Sequence, residues 1–122
     1  MGVKDNTAVI QLFDLLEQRY AMRVIWALSD GHPQTFRLLQ DSVGGVTPNT
    51  LNTRLKQLRA ARLVDHGRDG YHLTSQGADL ARRMIDMQLF ANRWAQQQAR
   101  ASASLVPSPQ VLNETVNHLP AA

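Results

Sequence analysis

Apolar residues recur at helical spacing along most of this chain, and the most regular stretch begins at Thr47. Leu51, Leu55 and Leu58 are spaced i, i+4 and i+7, so they fall on one stripe of a helix and face a core. Thr47 is a favourable N-cap residue, and Pro48 suits the first helical turn because its missing N–H needs no partner there. The pattern therefore predicts a helix that begins at Pro48, with one buried face and one polar face.

Two helices are predicted near the N-terminus. Apolar residues at helical spacing indicate a largely buried helix over residues 8–18, capped by Asn6 or Thr7. A second helix is predicted over residues 19–28, and it ends near Ser29 because a run of turn-forming residues follows.

A third, short helix is predicted directly before Thr47. Thr35 is its N-cap, and the pair Gly44-Gly45 ends it. A helix, a glycine-containing turn and a polar-faced helix in close succession are typical of a helix-turn-helix.

Beyond Ala61 the pattern changes to two short alternating segments, residues 63–66 and 71–74. The residues between them include Asp69-Gly70, which is a strong signal for a tight hairpin. A small two-stranded wing is therefore predicted after the polar-faced helix.

A long helix over residues 75–100 is predicted after the wing. Its apolar positions alternate at spacings of four and three, which is a heptad seam, and its apolar face is too broad for one small core to cover. With two residues of the helix over 8–18, this seam is the predicted dimer interface, which comprises Leu12, Phe13, Leu80, Met84, Met87, Ala91 and Trp94. Residues 101–122 contain three prolines and no sustained period, so they are predicted to form a flexible tail.

The composition fits one folded domain with local positive charge. The 122 residues are enough for one modest core, so residues 1–100 are interpreted as one domain. Its predicted fold class is mainly α: a winged helix-turn-helix with a short two-stranded wing and a long C-terminal dimerisation helix. Five basic residues and one acid lie between residues 47 and 68, whereas the whole chain has a formal net charge of +3. The excess positive charge is therefore local, and it suits a polyanionic partner.

Several function classes are excluded or disfavoured. The chain has no cysteine, which excludes disulfides, thiolate metal sites and cysteine nucleophiles. Its four histidines lack metal-ligand spacing and no Gly-rich phosphate loop is present, so no enzyme activity, metal or cofactor is expected. No apolar run reaches the ~18 residues that span a bilayer, and the N-terminus lacks signal-peptide features, so we expect a cytoplasmic protein without membrane contact.

Three segments carry a family resemblance: residues 15–28, 46–58 and 71–77. The closest is Val46-Thr47-Pro48-Asn49-Thr50-Leu51, followed by Arg54-Leu55 and Leu58, where the family has Ile-Ser-Pro-Lys-Thr-Leu and then Arg-Leu and Leu. In their order and spacing the segments resemble the HxlR-type winged helix-turn-helix transcriptional regulators, relatives of the MarR-like fold, over roughly residues 9–95. The resemblance implies a regulator that binds double-stranded DNA.

The chain departs from the family pattern at three places. Family members commonly carry a cysteine near the first helix, and this chain has none, so thiol sensing is not carried over. The hairpin is several residues shorter than the usual wing and leaves Arg68 as its positive charge. Arg62 stands where the family has a glycine that ends the recognition helix, and a non-glycine residue in a left-handed cap costs about 1 kcal/mol.

Candidate DNA contacts follow from the polar face of the helix that begins at Pro48. Asn can pair with the adenine edge in the major groove and Lys with guanine acceptors. The candidates for base contact are Asn49, Asn52, Thr53 and Lys56, with ordinary solvent exposure as the alternative. The candidates for phosphate contact are Thr47, Thr50, Arg54, Arg59, Arg62 and Arg68, and a structural ion pair is the alternative for Arg54.

The sequence therefore predicts a homodimeric, sequence-specific DNA-binding regulator that acts by occluding promoter DNA. The alternative is a winged-helix module that binds a protein partner through the same exposed helix. A small apolar effector is a further candidate partner. The residues that could line its pocket are Phe13, Trp26, Met84, Met87, Phe90 and Trp94. Core or dimer packing is the favoured interpretation of that cluster.

Overall fold

The computed structural model describes residues 5–104, which form five helices and one β-hairpin. The helices are α1 (Thr7–Leu16), α2 (Ala21–Ala27), α3 (Phe36–Val43), α4 (Pro48–Ala60) and α5 (Ser75–Ser104), and the strands β1 (Val64–Gly67) and β2 (Gly70–Leu73) lie between α4 and α5. This order confirms the predicted winged helix-turn-helix. Of the predicted tail, residues 101–104 continue α5, and residues 105–122 lie outside the described part of the chain.

Threonine caps and a glycine turn fix the helix-turn-helix. Each threonine hydroxyl accepts a hydrogen bond from the backbone N–H three residues later, at 3.2 Å for Thr35 and 3.3 Å for Thr47. Gly44 and Gly45, between α3 and α4, have φ of +78° and +69°, a conformation that glycine adopts without steric penalty. The predicted caps and the predicted break are confirmed.

One apolar core lies within the compact unit that ends at Ile85. The side chains of Leu51, Leu55 and Leu58 are 0%, 1% and 0% exposed, so the leucine stripe of α4 is buried as predicted. The other large, fully buried side chains are Val24, Ile25, Leu28, Leu39 and Val64. The core therefore holds α4 by its apolar stripe and leaves the polar face free.

A tight hairpin forms the wing. The last residue of β1 pairs with the first residue of β2, so Arg68 and Asp69 alone form the turn. The Gln34 N–H donates to the Tyr71 carbonyl at 2.9 Å, and the Tyr71 N–H donates to the Gln34 carbonyl at 2.7 Å. This backbone pair, which the sequence pattern did not indicate, attaches the wing to the segment before α3.

The prediction that the first helix is largely buried is wrong. No residue of α1 is fully buried, and the Phe13 side chain is 53% exposed. Within this unit Leu15 and Leu16, in the last turn of α1, are partly buried against the core. The reason is that helical spacing shows that an apolar face exists but does not show what covers it.

The start of α1 also differs from the prediction. Asn6 occupies the cap position but makes no side-chain cap hydrogen bond. The Asp5 carboxylate instead accepts hydrogen bonds from the Thr7 hydroxyl at 2.6 Å and from the Thr7 N–H at 2.9 Å. These two hydrogen bonds lower the pKa of Asp5 below its ordinary value.

Helix α5 begins at a third threonine cap and continues to Ser104, four residues beyond its predicted end. The Thr74 hydroxyl accepts a hydrogen bond from the Gly77 N–H at 3.0 Å and donates one to the Arg62 carbonyl at 2.6 Å. A second compact unit begins at Asp86, and every side chain described in it, over residues 86–103, is exposed.

Candidate nucleic-acid interface

The outer face of α4 brings together the four predicted base-contacting residues. Asn49, Asn52, Thr53 and Lys56 are all exposed, while the leucines of the same helix are buried. Two amides, a hydroxyl and an ammonium are thus presented on a rigid helix, and these groups can bind base edges in a major groove. No carboxylate belongs to α4 itself.

Three hydroxyls of α4 already have partners in its first turns. Thr47 donates its hydroxyl hydrogen to the Thr50 hydroxyl at 3.0 Å while it caps the helix, and the Thr53 hydroxyl donates to the Asn49 carbonyl at 3.0 Å. The hydroxyl hydrogens of Thr47 and Thr53 are used in these bonds, whereas the Thr50 hydroxyl only accepts, and all three oxygens retain acceptor capacity. Thr47 and Thr53 are exposed and Thr50 is half-buried.

Arg54 has structural partners that differ from the predicted alternatives. Its Nε donates to the Arg19 carbonyl at 2.7 Å and its Nη1 donates to Gln57 Oε1 at 3.0 Å. The side chain is half-buried, and no ion pair of Arg54 is found in residues 5–104. Arg54 therefore joins α4 to the segment between α1 and α2, through neutral acceptors rather than a carboxylate.

Arg59, Arg62 and Arg68 are exposed at the end of α4 and at the tip of the hairpin. Arg62 has φ +61°, so it adopts the left-handed conformation expected at this position, where the family has a glycine. Its carbonyl accepts the Thr74 hydroxyl, which ties the end of α4 to the start of α5. At the hairpin, the ring of His66 stacks on Tyr71 with centroids 4.0 Å apart.

The basic residues of α5 are partly neutralised within their own helix. Arg82 and Arg83 both contact the Asp79 carboxylate, at 2.9 Å and 2.6 Å. Hydrogen bonds from Arg83 and then Arg82 lower the pKa of Asp79 below its ordinary value. Asp79 thus offsets part of the positive charge at the start of α5, whereas the basic residues of α4 have no carboxylate partner in the described chain.

Sequence reasoning missed a cluster of Arg19, Tyr20 and Arg23 next to α4. The guanidinium carbons of Arg19 and Arg23 lie 4.9 Å and 5.6 Å from the centroid of the Tyr20 ring. The Tyr20 hydroxyl donates to the Gly45 carbonyl at 3.2 Å. The sequence shows one arginine directly before Tyr20 and another three residues after it, which could have indicated the cluster. The φ of +74° at Tyr20, which orients the cluster, could not be predicted from the sequence.

The predicted dimer residues fall in both compact units. In the first unit Leu12, Leu80 and Met84 are half-buried and Phe13 is exposed. In the second unit Ala91 is exposed, and the Met87 and Trp94 side chains are 54% and 52% exposed. Large apolar surface is therefore present at both sets of positions.

A cavity of about 500 Å³ lies within the first unit, between the turn after α2, the hairpin and the start of α5. Leu28, Pro33, Leu73, Ala81 and Ile85 give it an apolar lining, with Arg68, His72 and Arg82 as polar lining residues. None of the residues predicted to line an effector pocket belongs to it. The predicted effector lining and this cavity are therefore different sites.

Metal and membrane features are not found in the described chain. Over residues 5–104 no three metal-ligating side chains lie together. None of the helices in this range has the length and apolar character needed to cross a membrane.

Comparisons with known proteins agree with this architecture. The profile of the HxlR-like helix-turn-helix family matches residues 15–99 of the chain. No curated protein matches the chain significantly in sequence.

Solved structures with the same architecture include two with about one quarter identical residues. Quinone-bound YodB from B. subtilis is 26% identical with a TM-score of 0.65, over 71% of this chain and 98% of that chain. A possible HxlR family transcriptional factor from Thermoplasma volcanium is 25% identical with a TM-score of 0.62, over 70% of this chain and 82% of that chain. Ligand-free NadR, at 19% identity and a TM-score of 0.52, covers 94% of this chain and 99% of that chain and shows the fold alone.

Proposed function

The chain belongs to the HxlR-like helix-turn-helix family of transcription regulators, and from this premise we propose that it binds double-stranded DNA sequence-specifically as a homodimer and occludes promoter DNA. The observation that carries the proposal is the division of α4 into a buried leucine stripe and an exposed polar face. A helix fixed by its apolar stripe can enter a major groove without rearrangement.

In this proposal the exposed polar face of α4 reads bases. Asn49 and Asn52 pair with adenine edges, Lys56 binds guanine acceptors, and Thr53 contacts a base through its oxygen or methyl group. The exposure of all four side chains supports these roles.

Phosphate contacts surround the bases that α4 reads. Arg59, Arg62 and Arg68 are exposed and have no carboxylate partner in the described chain, so their N–H groups are free for phosphate oxygens. The backbone N–H groups at the start of α4, near Thr47 and Thr50, provide a further anion site. Two nitrogens of Arg54 donate hydrogen bonds to protein acceptors, so we assign Arg54 mainly to the orientation of α4. A phosphate contact is its secondary role in this proposal.

Dimerisation is proposed through the apolar residues of α1 and α5. The exposure of Phe13, Met87 and Trp94 supports an interface at these helices, because aromatic and methionine side chains are enriched at protein–protein interfaces. A two-fold dimer places two recognition helices about one helical turn apart and covers roughly 20 base pairs. Other DNA-binding proteins then have no access to a promoter segment of that length, which is the basis of the proposed occlusion.

A small apolar effector is a proposed additional partner. The family neighbour YodB has been solved in a quinone-bound form, which supports this class of ligand. On this chain we assign it to the cavity lined by Leu28, Pro33 and Ala81. The chain has no cysteine and therefore cannot bind a quinone as a thiol adduct. Calorimetric titration with benzoquinone tests the assignment. Ala78 also lines this cavity, so Ala78→Leu, which fills part of it, is expected to weaken the binding.

Selection of bound duplexes from a random pool, followed by titration in a salt series, tests the proposed function. We expect an enriched inverted repeat, and log affinity should fall with log salt at a slope near 0.9 for each phosphate neutralised. The alternative function, a module that binds a protein through α4, predicts no enriched sequence and a weak response to salt.

A further inference from the structure

We infer that Arg19 and Arg23 form a second phosphate-binding site, stacked on Tyr20 beside α4, that binds the DNA backbone next to the bases read by α4. The inference rests on the proposed function, because the ligand is the same duplex. It adds residues outside α4 and the wing that no motif assigns to DNA.

The first support is the position of the cluster. The carbonyl of Arg19 accepts the Nε of Arg54 at 2.7 Å, and the Tyr20 hydroxyl reaches the Gly45 carbonyl at 3.2 Å. One bond joins the cluster to the middle of α4, and the other joins it to the turn that precedes α4. The segment that carries the two arginines is therefore held next to the helix proposed to enter the groove.

The second support is the availability of the charge. Both side chains are exposed, and neither has a carboxylate within salt-bridge distance or a side-chain hydrogen bond in residues 5–104. Arg82 and Arg83, by contrast, share the carboxylate of Asp79. Arg19 and Arg23 therefore have a charge that the rest of this unit does not neutralise.

The third support is the geometry of the contact with Tyr20. A guanidinium over an aromatic ring uses its π face, so its in-plane N–H groups remain free to form the paired hydrogen bonds that a phosphate accepts. Stacking also restricts two flexible side chains before binding, which reduces the entropy that they lose on the DNA. The ring thus serves as a platform for two anion-binding groups.

The fourth support is the backbone of Tyr20. Its φ of +74° is unfavourable for a tyrosine, and such positions persist where surrounding contacts hold them. Here the hydroxyl bond to Gly45 and the link between Arg54 and Arg19 hold the segment on both sides. The conformation holds the ring within 4.9 Å and 5.6 Å of the guanidinium carbons of Arg19 and Arg23.

Titration of the full chain with a selected duplex and with a random duplex tests the inference. Arg19→Ala and Arg23→Ala should each weaken binding on the order of tenfold on both duplexes. The salt slope should become shallower by about 0.9 for each arginine removed. Arg23→Lys should keep the slope, because it keeps the charge. Arg23→Gln replaces Arg23→Ala if the alanine variant loses thermal stability.

Tyr20 is a positioning residue, and two variants separate this role from a structural one. Tyr20→Leu removes the ring and should weaken binding to both duplexes. Tyr20→Phe keeps the ring and should retain most of the wild-type affinity. Equal affinities for these two variants would contradict the platform.

Arg83→Ala is the matched control, since it removes the same charge from an arginine that is paired with Asp79. If Arg19→Ala and Arg23→Ala behave like Arg83→Ala while the wild type binds its selected duplex, the inference fails and the proposed function stands. If the wild type binds no duplex at all, both fail.

Discussion

At the scale of single residues, Asn49 and Arg59 are expected to differ in the kind of DNA contact that they make. A base contact discriminates between sequences, and a phosphate contact does not. Asn49→Ala should therefore lose roughly 1–3 kcal/mol on the preferred duplex and little on random DNA, while Arg59→Ala should weaken both alike. Lys56→Ala is expected to fall between them, because an ammonium can bind a guanine edge or a phosphate.

Paired titrations on the two duplexes measure this difference. Asn49 is suited to the test because its side chain is exposed and its substitution leaves the leucine stripe intact. Equal losses on both duplexes for Asn49→Ala would remove it from the base-reading set.

Arg62 gives a second prediction at this scale, because stability and binding should change in opposite directions. The residue has φ +61°, where glycine is favoured, so Arg62→Gly should stabilise the fold by about 1 kcal/mol. The same change removes a phosphate contact, so affinity for both duplexes should fall. Denaturant unfolding and DNA titration of this one variant provide the two measurements. A gain in stability with unchanged affinity would mean that Arg62 does not touch the backbone of the duplex.

Residue positions were predictable from the sequence where local geometry decides them. The caps at Thr35 and Thr47 depend on a few neighbouring residues, and the structure has both. The left-handed position of Arg62 was implied by the family resemblance rather than by its neighbours, and the structure has it too. The partners of Arg54 were not predictable, because its acceptor is the carbonyl of Arg19, 35 residues earlier. The role of Arg19 and Arg23 was missed for the same reason.

At the scale of elements, the junction between the wing and α5 depends on the absence of a side chain at Gly77. A Cβ built there would collide with the Leu63 carbonyl, a backbone atom that cannot rotate away. The Thr74 N–H donates to the same carbonyl at 3.0 Å, so the close approach is part of the start of α5.

Gly77→Ala is therefore expected to destabilise the fold by about 1–3 kcal/mol, the range for a group forced into a packed site. Gln76→Ala, one residue earlier at an exposed position, is the control and should change stability little. Thermal or denaturant unfolding of the two variants makes the comparison. A stable Gly77→Ala protein would show that this junction can open without cost.

The order of elements was readable from the sequence, but the burial of α1 was not. Periodicity located α1 and its apolar positions, since both follow from spacing within ten residues. Burial depends on which surface meets those positions, and in the first unit only the last turn of α1 packs against the core. The backbone pair between Gln34 and Tyr71 was missed likewise, because its two residues are far apart in the chain.

At the scale of the whole molecule, the described part of the second unit, residues 86–103, has large exposed apolar side chains and no buried side chain. The Met87, Phe90 and Trp94 side chains share one face of α5 over two turns and are 54%, 63% and 52% exposed, while Leu89, on the opposite side of the helix, is 70% exposed. Contiguous apolar surface of this kind marks a site of association. One winged-helix unit also makes few DNA contacts, too few for the affinities of roughly 10⁻⁸ M or better that specific regulators show. Both considerations favour a dimer.

The decisive prediction concerns Met87 and Trp94. Their replacement by glutamate puts two charges into the proposed interface, so the variant should be a monomer in sedimentation, with a winged helix that unfolds at nearly the wild-type midpoint. Specific DNA affinity should collapse, because each half-site is then bound separately. The matched control is a chain with Gln88→Glu and Gln96→Glu, which adds the same charge at exposed polar positions of α5 and should remain a dimer with its affinity largely retained. A monomeric wild type, or full affinity in the monomeric variant, would show that α5 serves another purpose and that one unit suffices for the operator.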